Sequence, residues 1–344
     1  MRKSTLMEKV TRRTISSSSF FLCFFIFSSS ILFLAGKSAA KVSFDGDNDD
    51  NVTALFIFGD SFLDAGNNNY INTTTLDQAN FPPYGQTFFG LPTGRFSDGR
   101  LISDFIAEYA KLPLIPPFLE PGDSQKKLCG VNFASAGAGA LVETFQGSVI
   151  SLRTQLGHYK KVERLWRIKF GKEESKKRIS RAVYLISIGS NDYSSPFLTN
   201  QSLSFSMSQH VDIVIGNLTT FIHAWDGSSL RRIRYPDNFK ISGSGSLFGE
   251  SIILLSLSGS GVCGYPGFKE GKMGCCGSGP LRGINTCGNQ MGKSYELCEN
   301  VTDYLFFDAS HLTEKAHRQI AELIWSGPPN VTGPYNLQAL FELN

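Results

Sequence analysis

Apolar residues fall along this chain in short blocks, and several of the blocks stop on a small polar cluster. "LFIFGDSFLDAGNNNY" (55–70) opens with Leu55 to Phe58 and runs directly into Gly59-Asp60-Ser61. A continuous apolar run of that length, bounded by turn residues, predicts a strand buried on both faces. "GVNFASAGAGAL" (130–141) reads as a short strand entering a glycine-rich turn, and "AVYLISIGSND" (182–192) as a buried strand ending on glycine and polar residues. Other stretches carry the helical period. In "RLISDFIAEYAKL" (100–112), Leu101, Ile102, Phe105, Ile106 and Tyr109 share one face, and Pro113 stops the helix. "HVDIVIGNLTTFIHAW" (210–225) predicts a second helix. "TEKAHRQIAELIW" (313–325) predicts a third, with Thr313 as cap, Glu314 in the first turn, and Ala316, Ile320, Leu323 and Ile324 on one stripe. Residues 152–178 begin helical and then turn basic and solvated, while residues 72–100, rich in Thr, Pro, Gly and Asn, read as long loops.

Strands alternating with helices predict an α/β fold, a three-layer α/β/α sandwich around a parallel sheet. Parallel strands all end at one edge, and reactive groups in such sheets gather at the carboxyl edge. Three polar clusters are therefore expected side by side: Gly59-Asp60-Ser61, Ser135-Ala136-Gly137 and Gly189-Ser190-Asn191-Asp192. A serine hydroxyl is a weak nucleophile until a base takes its proton, usually a histidine held by a carboxylate. "FFDASHLTEK" supplies both groups, Asp308 and His311, three residues apart on a turn leading into a helix. The Ser61 N–H, the Gly137 N–H and the Asn191 side-chain amide are candidate donors for the oxyanion that develops on an attacked carbonyl. Each residue also has a plainer reading. Ser61 alone is a turn or cap, Asn191-Asp192 a turn, Asp308 a helix cap, and His311 a surface histidine. His158, His210, His223 and His317, which have no motif around them, are assigned to that surface class. Jointly, the clusters favour a hydrolase site.

These motifs carry a resemblance. "FGDSFLDAGNNN", "GVNFASAGAG", "GSND" and "DASH" resemble the four sequence blocks of the plant GDSL esterase/lipase family, within the SGNH hydrolases. "TGRFSDGRLISDFIAE" (93–108) and the "GCCGSGP" and "TCG" segments of 274–288 extend the likeness. The resemblance implies a secreted serine esterase or lipase that hydrolyses carboxylic esters, either lipid acyl esters or acetylated glycans, through an acyl-enzyme. It assigns Ser61 as nucleophile, His311 as base and Asp308 as the third triad member. The Ser61, Gly137 and Asn191 donors form the oxyanion hole, with Gly139 close enough to compete with Gly137. It implies no metal or organic cofactor, and an apoplastic or cell-wall location. Asn67-Asn68-Asn69 is expected to shape the loop after the nucleophile rather than to react.

One segment departs from the family pattern. Between the "GSND" block and the cysteine-rich loop, the family carries further helices and strands, whereas residues 224–266 here are rich in Ser and Gly and lack a helical period. "SIILLSLSG" (251–259) offers one substitute strand. The expectation is a fold missing part of its core. This sustains an alternative function: a catalytically weak or inactive secreted glycoprotein acting as a binding or accessory protein.

Composition changes the picture mainly at the N-terminus. A basic stretch precedes "FFLCFFIFSSSILFLAG" (20–36), and small residues follow at Ser38 and Ala40, so residues 1–40 read as a secretory signal and 41–344 as a single hydrolase domain. The alternative for that run is a membrane anchor, but it is short and broken by Ser28-Ser29-Ser30. No second apolar run is long enough to span a bilayer. Taking the six basic residues and one acid of 1–40 from the 33 and 30 of the whole chain changes the net charge from +3 to −2, which gives no reason to expect nucleic-acid binding. With Cys23 removed, six cysteines remain at 129, 263, 275, 276, 287 and 298, an even number consistent with disulfides in an oxidising compartment. Residues 275–298 read as a stapled loop, with a zinc site as the alternative, although no matching histidine spacing lies nearby. Six N-x-S/T sequons, at Asn51, Asn72, Asn200, Asn217, Asn300 and Asn330, make a glycoprotein the expectation.

Overall fold

The computed structural model describes residues 53–73, 78–122, 126–198, 206–226, 246–248, 267–283, 287–288, 294–328, 332 and 335–342. The first strand, β1 (Leu55–Gly59), lies between β2 (Gly130–Asn132) and β3 (Val183–Ser187), parallel to both. Leu55 stands opposite Gly130 on one side and Val183 on the other, and Gly59 stands opposite Ser187. The three predicted strands therefore finish at one edge, and their polar clusters come together there. Gly59 has φ +147°, and a Cβ on it would sit 2.1 Å from the Ser187 carbonyl oxygen, so this close strand approach admits only glycine.

A strand sends successive side chains to opposite faces. Phe56, Phe58, Tyr184 and Ile186 enter one core, packed by α2 (Leu152–Phe170), α3 (Lys172–Arg181) and α5 (Met207–Asp226). Leu55, Ile57, Val183 and Leu185 enter the other, packed by α1 (Ile102–Tyr109), α6 (Glu314–Ser326) and α7 (Leu337–Glu342). This is the three-layer α/β/α arrangement. Thr313 caps α6 as expected, its hydroxyl accepting from the Ala316 N–H at 3.3 Å. The basic, solvated part of 152–178 continues as helix: α2 runs to Phe170, and α3 follows after Gly171. Buried Val162, Trp166 and Ile179 hold both helices on the sheet. Another helix, α4 (Ser190–Leu198), starts inside the "GSND" block.

In the atypical segment, the described strand is β4 (Ser246–Phe248), which pairs antiparallel with β3 at the sheet edge. The expected substitute strand at 251–259 lies outside the described residues. Downstream, β5 (Glu270–Gly274) pairs with β8 (Tyr304–Phe306), and the short β6 (Cys276–Gly277) with β7 (Glu296–Leu297). Disulfides Cys275–Cys298 and Cys276–Cys287 staple this cysteine-rich loop. Cys129 is buried, and Cys263 lies outside the described residues. No helix among the described residues is long and apolar enough to cross a membrane.

One buried ion pair ties the loops to α1. Arg95 grips Asp104 with two hydrogen bonds of 2.8 and 2.9 Å and donates a third to the Ala65 carbonyl, while Asp104 also accepts the Leu101 N–H at the start of α1. Both side chains are almost wholly buried. Removing one partner of such a pair leaves an uncompensated buried charge, which costs about 3–5 kcal/mol. Arg95→Ala is expected to lower the unfolding free energy by that amount, measured by urea denaturation of the purified protein.

Candidate active site

The site is assembled at the carboxyl edge of the sheet. Ser61 follows β1 in a turn set by Asp60, whose carboxylate accepts the Phe62 N–H at 3.1 Å and the Ser190 hydroxyl at 3.0 Å. Burial pushes the Asp60 carboxyl up to about 6, against those hydrogen bonds and the pull of His311. The Asp60–Ser190 bond also links the β1 turn to the start of α4, which brings Asn191 to the same rim.

Although 250 positions apart in sequence, Ser61 Oγ and His311 Nε2 are 2.8 Å apart. His311 Nδ1 lies 2.8 and 2.9 Å from the two oxygens of Asp308. Nδ1 is then the protonated nitrogen, donating to the carboxylate, and Nε2 accepts from the serine hydroxyl. The Asp308 carboxylate also accepts the backbone N–H groups of Ser310 and His311, at 2.8 and 2.7 Å. Burial acts to raise its pKa, but the charge and hydrogen bond of His311, with the Tyr84 and Ser310 donors, hold it down at about 2. The imidazole is flanked by Phe96 and Phe62, with ring centroids 4.5 and 5.8 Å away.

Gly137 and Asn191 face the same cavity of about 390 Å³ as Ser61 and His311. Gly137 adopts φ +80°, a left-handed conformation suited to glycine. Among the described residues, neither the Ser61 N–H nor the Gly137 N–H has an acceptor. Asn191 donates one amide hydrogen to the Ala138 carbonyl at 2.9 Å, which orients the side chain and leaves its second hydrogen for another acceptor. Gly139 occupies a different place: a Cβ there would meet the Asp192 carboxylate at 2.3 Å, so it serves packing behind the cavity. Asp192 accepts from the Ala140 and Leu141 N–H groups and the Thr144 hydroxyl, fixing the glycine-rich turn against α4.

The asparagine run is a scaffold. Asn67 donates to the Asn132 and Ala134 carbonyls and accepts from Leu119 N–H; Asn68 donates to the Ala136 carbonyl and accepts from the Ser135 hydroxyl. Asp64 adds an acceptor for Gly66, Asn67 and Ala136 N–H groups, so the loop after Ser61 is sewn to the strand end that carries Gly137.

Two neighbours escaped the sequence reading. Tyr84 donates its hydroxyl to Asp308 Oδ2 at 2.7 Å, and burial, reinforced by that carboxylate, raises its own pKa well above the usual phenol value. Its signal was "FPPYG", an aromatic embedded in turn residues of a region read only as loop. Gln155 bonds both the N–H and the carbonyl of Gly59, at 3.0 and 2.9 Å; it lies on the buried face of α2 among apolar residues, which marked it as a polar group needing partners. The histidines assigned to the surface are also corrected. His317 is fully buried on the inner face of α6, His210 is buried with Nε2 2.9 Å from the Asp192 carbonyl, and His158 stacks on Phe118. The helical period places each on or beside a packed stripe. The side chain of His223 lies outside the described residues.

The family described as GDSL-like Lipase/Acylhydrolase matches residues 55–237, and the match ends within the atypical segment. GDSL esterase/lipase 5 of Arabidopsis thaliana is 63% identical over 390 aligned positions covering 100% of both chains. Those 390 positions against 344 residues leave at least 46 without a counterpart here. GDSL esterase/lipase 1 of the same plant is 54% identical over 86% of this chain and 91% of its own. A GDSL lipase of Tanacetum cinerariifolium is 42% identical over 84% of this chain and 88% of its own. With more than half its length matched and relatives this similar, the chain belongs to the GDSL-like lipase/acylhydrolase family and is a carboxylic ester hydrolase.

Proposed function

We propose that this protein is a secreted serine esterase or lipase that turns over lipid acyl esters or acetylated glycans through an acyl-enzyme. The observation that carries the reading is the relay from Ser61 Oγ through His311 to Asp308, with both contacts at hydrogen-bond length. His311 Nε2 takes the Ser61 proton as Oγ attacks the ester carbonyl, and Asp308 stabilises the imidazolium that forms. The Ser61 N–H, the Gly137 N–H and the free Asn191 amide hydrogen receive the oxyanion. His311 then protonates the leaving alkoxide, and a water deprotonated by His311 releases the acid. Phe62, Phe81, Phe96 and Phe145 line the cavity and suit the apolar part of an acyl ester. Residues 1–40 leave as the secretory signal, and 41–344 form one domain. The two disulfides suit an extracellular location in the apoplast or wall. Of the sequons, Asn72, Asn217 and Asn300 are exposed and open to glycosylation, while Asn51, Asn200 and Asn330 lie outside the described residues.

A specific observation favours a second reading, that of a weakly active accessory glycoprotein. At least 46 positions of the 63%-identical relative have no counterpart here, and among the described residues the strand beside β3 on that edge is a three-residue antiparallel one. Reaction with a fluorophosphonate separates the readings. An activated Ser61 is labelled, and Ser61→Ala abolishes both the label and p-nitrophenyl butyrate turnover, by roughly 10⁴–10⁶-fold. An intact, folded protein that takes no label at Ser61 is the accessory glycoprotein.

Asn191→Ala is expected to lower kcat about 10²–10³-fold with little change in KM, because its amide bonds the oxyanion more strongly than the ground-state carbonyl. Steady-state kinetics on p-nitrophenyl butyrate measure the split.

The depressed pKa of Asp308 links stability to pH. Its contribution is fully present above its unfolded value near 4 and is lost as pH falls through about 2. Tyr84→Phe removes one of the groups that holds the pKa down, so the contribution should be smaller and its loss complete at higher pH, while still beginning near 4. Denaturant midpoints of the two proteins between pH 2 and about 6 are the measurement.

A further inference from the structure

The basic stretch has no role in the site described above. Between Leu152 and Arg181 lie eleven basic and three acidic residues, a net of +8; taken from the −2 of residues 41–344, this leaves −10 on the rest. The fold concentrates this charge on one helical pair. Lys160, Arg164 and Arg167 of α2 face Lys172 and Lys176 of α3 across an open groove of about 340 Å³, with Glu163 as the acid on its wall. None of these five cations forms an ion pair among the described residues. Elsewhere around α2, Leu165 and Ile168 are 61% and 77% exposed, while Val162 and Trp166 are buried. Lys161, Arg164, Leu165 and Ile168 follow the i, i+3, i+4, i+7 pattern, so cations and bare aliphatics share one outer stripe of α2.

We propose that this α2–α3 face docks the protein on the surface of an anionic phospholipid bilayer. Clustered Lys and Arg are drawn to an anionic leaflet, and an exposed aliphatic pair on the same stripe enters the boundary between headgroups and acyl chains. The groove admits headgroup phosphates between its two cationic walls. An acidic polysaccharide would satisfy the cations but leave Leu165 and Ile168 in water, and for that reason the bilayer is the favoured partner. Docking here leaves the cleft free. No described residue lining the active-site cavity belongs to α2 or α3, and Gln155, which touches Gly59 beside the nucleophile, precedes the groove residues Lys160 and Arg167 by about 8 and 18 Å along the helix axis at 1.5 Å per residue. The face therefore holds the protein at a membrane without covering its active site, and the contact does not depend on turnover.

Co-sedimentation of the purified mature protein tests this, using phosphatidylcholine vesicles with and without phosphatidylglycerol, at low and high salt. Binding is expected only with phosphatidylglycerol and should weaken in high salt. Arg164→Glu with Lys172→Glu should reduce it about tenfold or more. Leu165→Ser with Ile168→Ser, which leaves every charge in place, should also weaken it. Both double variants should keep the wild-type melting temperature and far-UV circular dichroism, since the replaced side chains are exposed. Equal binding to neutral vesicles, or binding undiminished by the charge reversal, overturns the proposal. So does a full effect of charge reversal with none from the serine pair, which would mean an electrostatic contact without insertion. Retention on polygalacturonate with no vesicle binding overturns it in favour of the polysaccharide.

Discussion

Three short strands held in parallel register set the geometry of everything at the candidate site. β1 is the middle strand, and each residue from Leu55 to Ile57 is paired on both sides. With strands this short, the sheet contributes little mass, yet the register decides which loop ends meet. A one-residue slip of β1 would carry Phe56 and Phe58 to the wrong face and move Ser61 away from His311. Register is protected by the two separate cores, because β1 sends the phenylalanines Phe56 and Phe58 into one and the smaller Leu55 and Ile57 into the other.

Hydrogen-bonded side chains extend that precision from the strand ends to the turns. Gln155, Asp64, Asn67, Asn68 and Asp192 are buried polar groups whose partners are almost all backbone atoms of the site loops. In a low-dielectric interior such bonds are costly to leave unmade, which makes each loop conformation sharply defined. Asp308 sits within the same scheme, taking donors from Tyr84, two backbone amides and His311. Its anionic form is thereby stabilised despite burial, and it can steady a positive imidazole. The exposed α2–α3 charge is arranged on different terms. Its cations lie in solvent, where long-range attraction matters and fixed geometry does not.

The atypical segment bears on how well this scaffold is closed. The family match stops at residue 237, and the edge after β3 is covered by the antiparallel β4 rather than by another parallel strand. Three of the groups at the rim do not draw on that edge: Ser61 comes from β1, Gly137 from the turn after β2 and His311 from the turn before α6, whereas Asn191 follows β3, whose Ser187 pairs with Ser246 of β4. The nucleophile and its base are thus set apart from the sheet edge, while the Asn191 donor is coupled to it through β3.

Local pattern in the sequence was sufficient to determine the elements around the site: the apolar runs at 55, 130 and 183, the helices at 102, 207 and 314, and the Thr313 cap. Each depends on periodicity or on neighbours a few positions away. It also marked Ser61, Gly137, Asn191, Asp308 and His311, because their motifs are contiguous and distinctive. Only the tertiary structure decided that Tyr84 meets Asp308 across 224 positions, that Gly137 and not Gly139 lines the cavity, that His317 is buried, and that the cations after 160 stand on two helices facing each other. These are contacts between segments distant in the chain. They depend on register, layer and helix rotation, and no local pattern of residues encodes them.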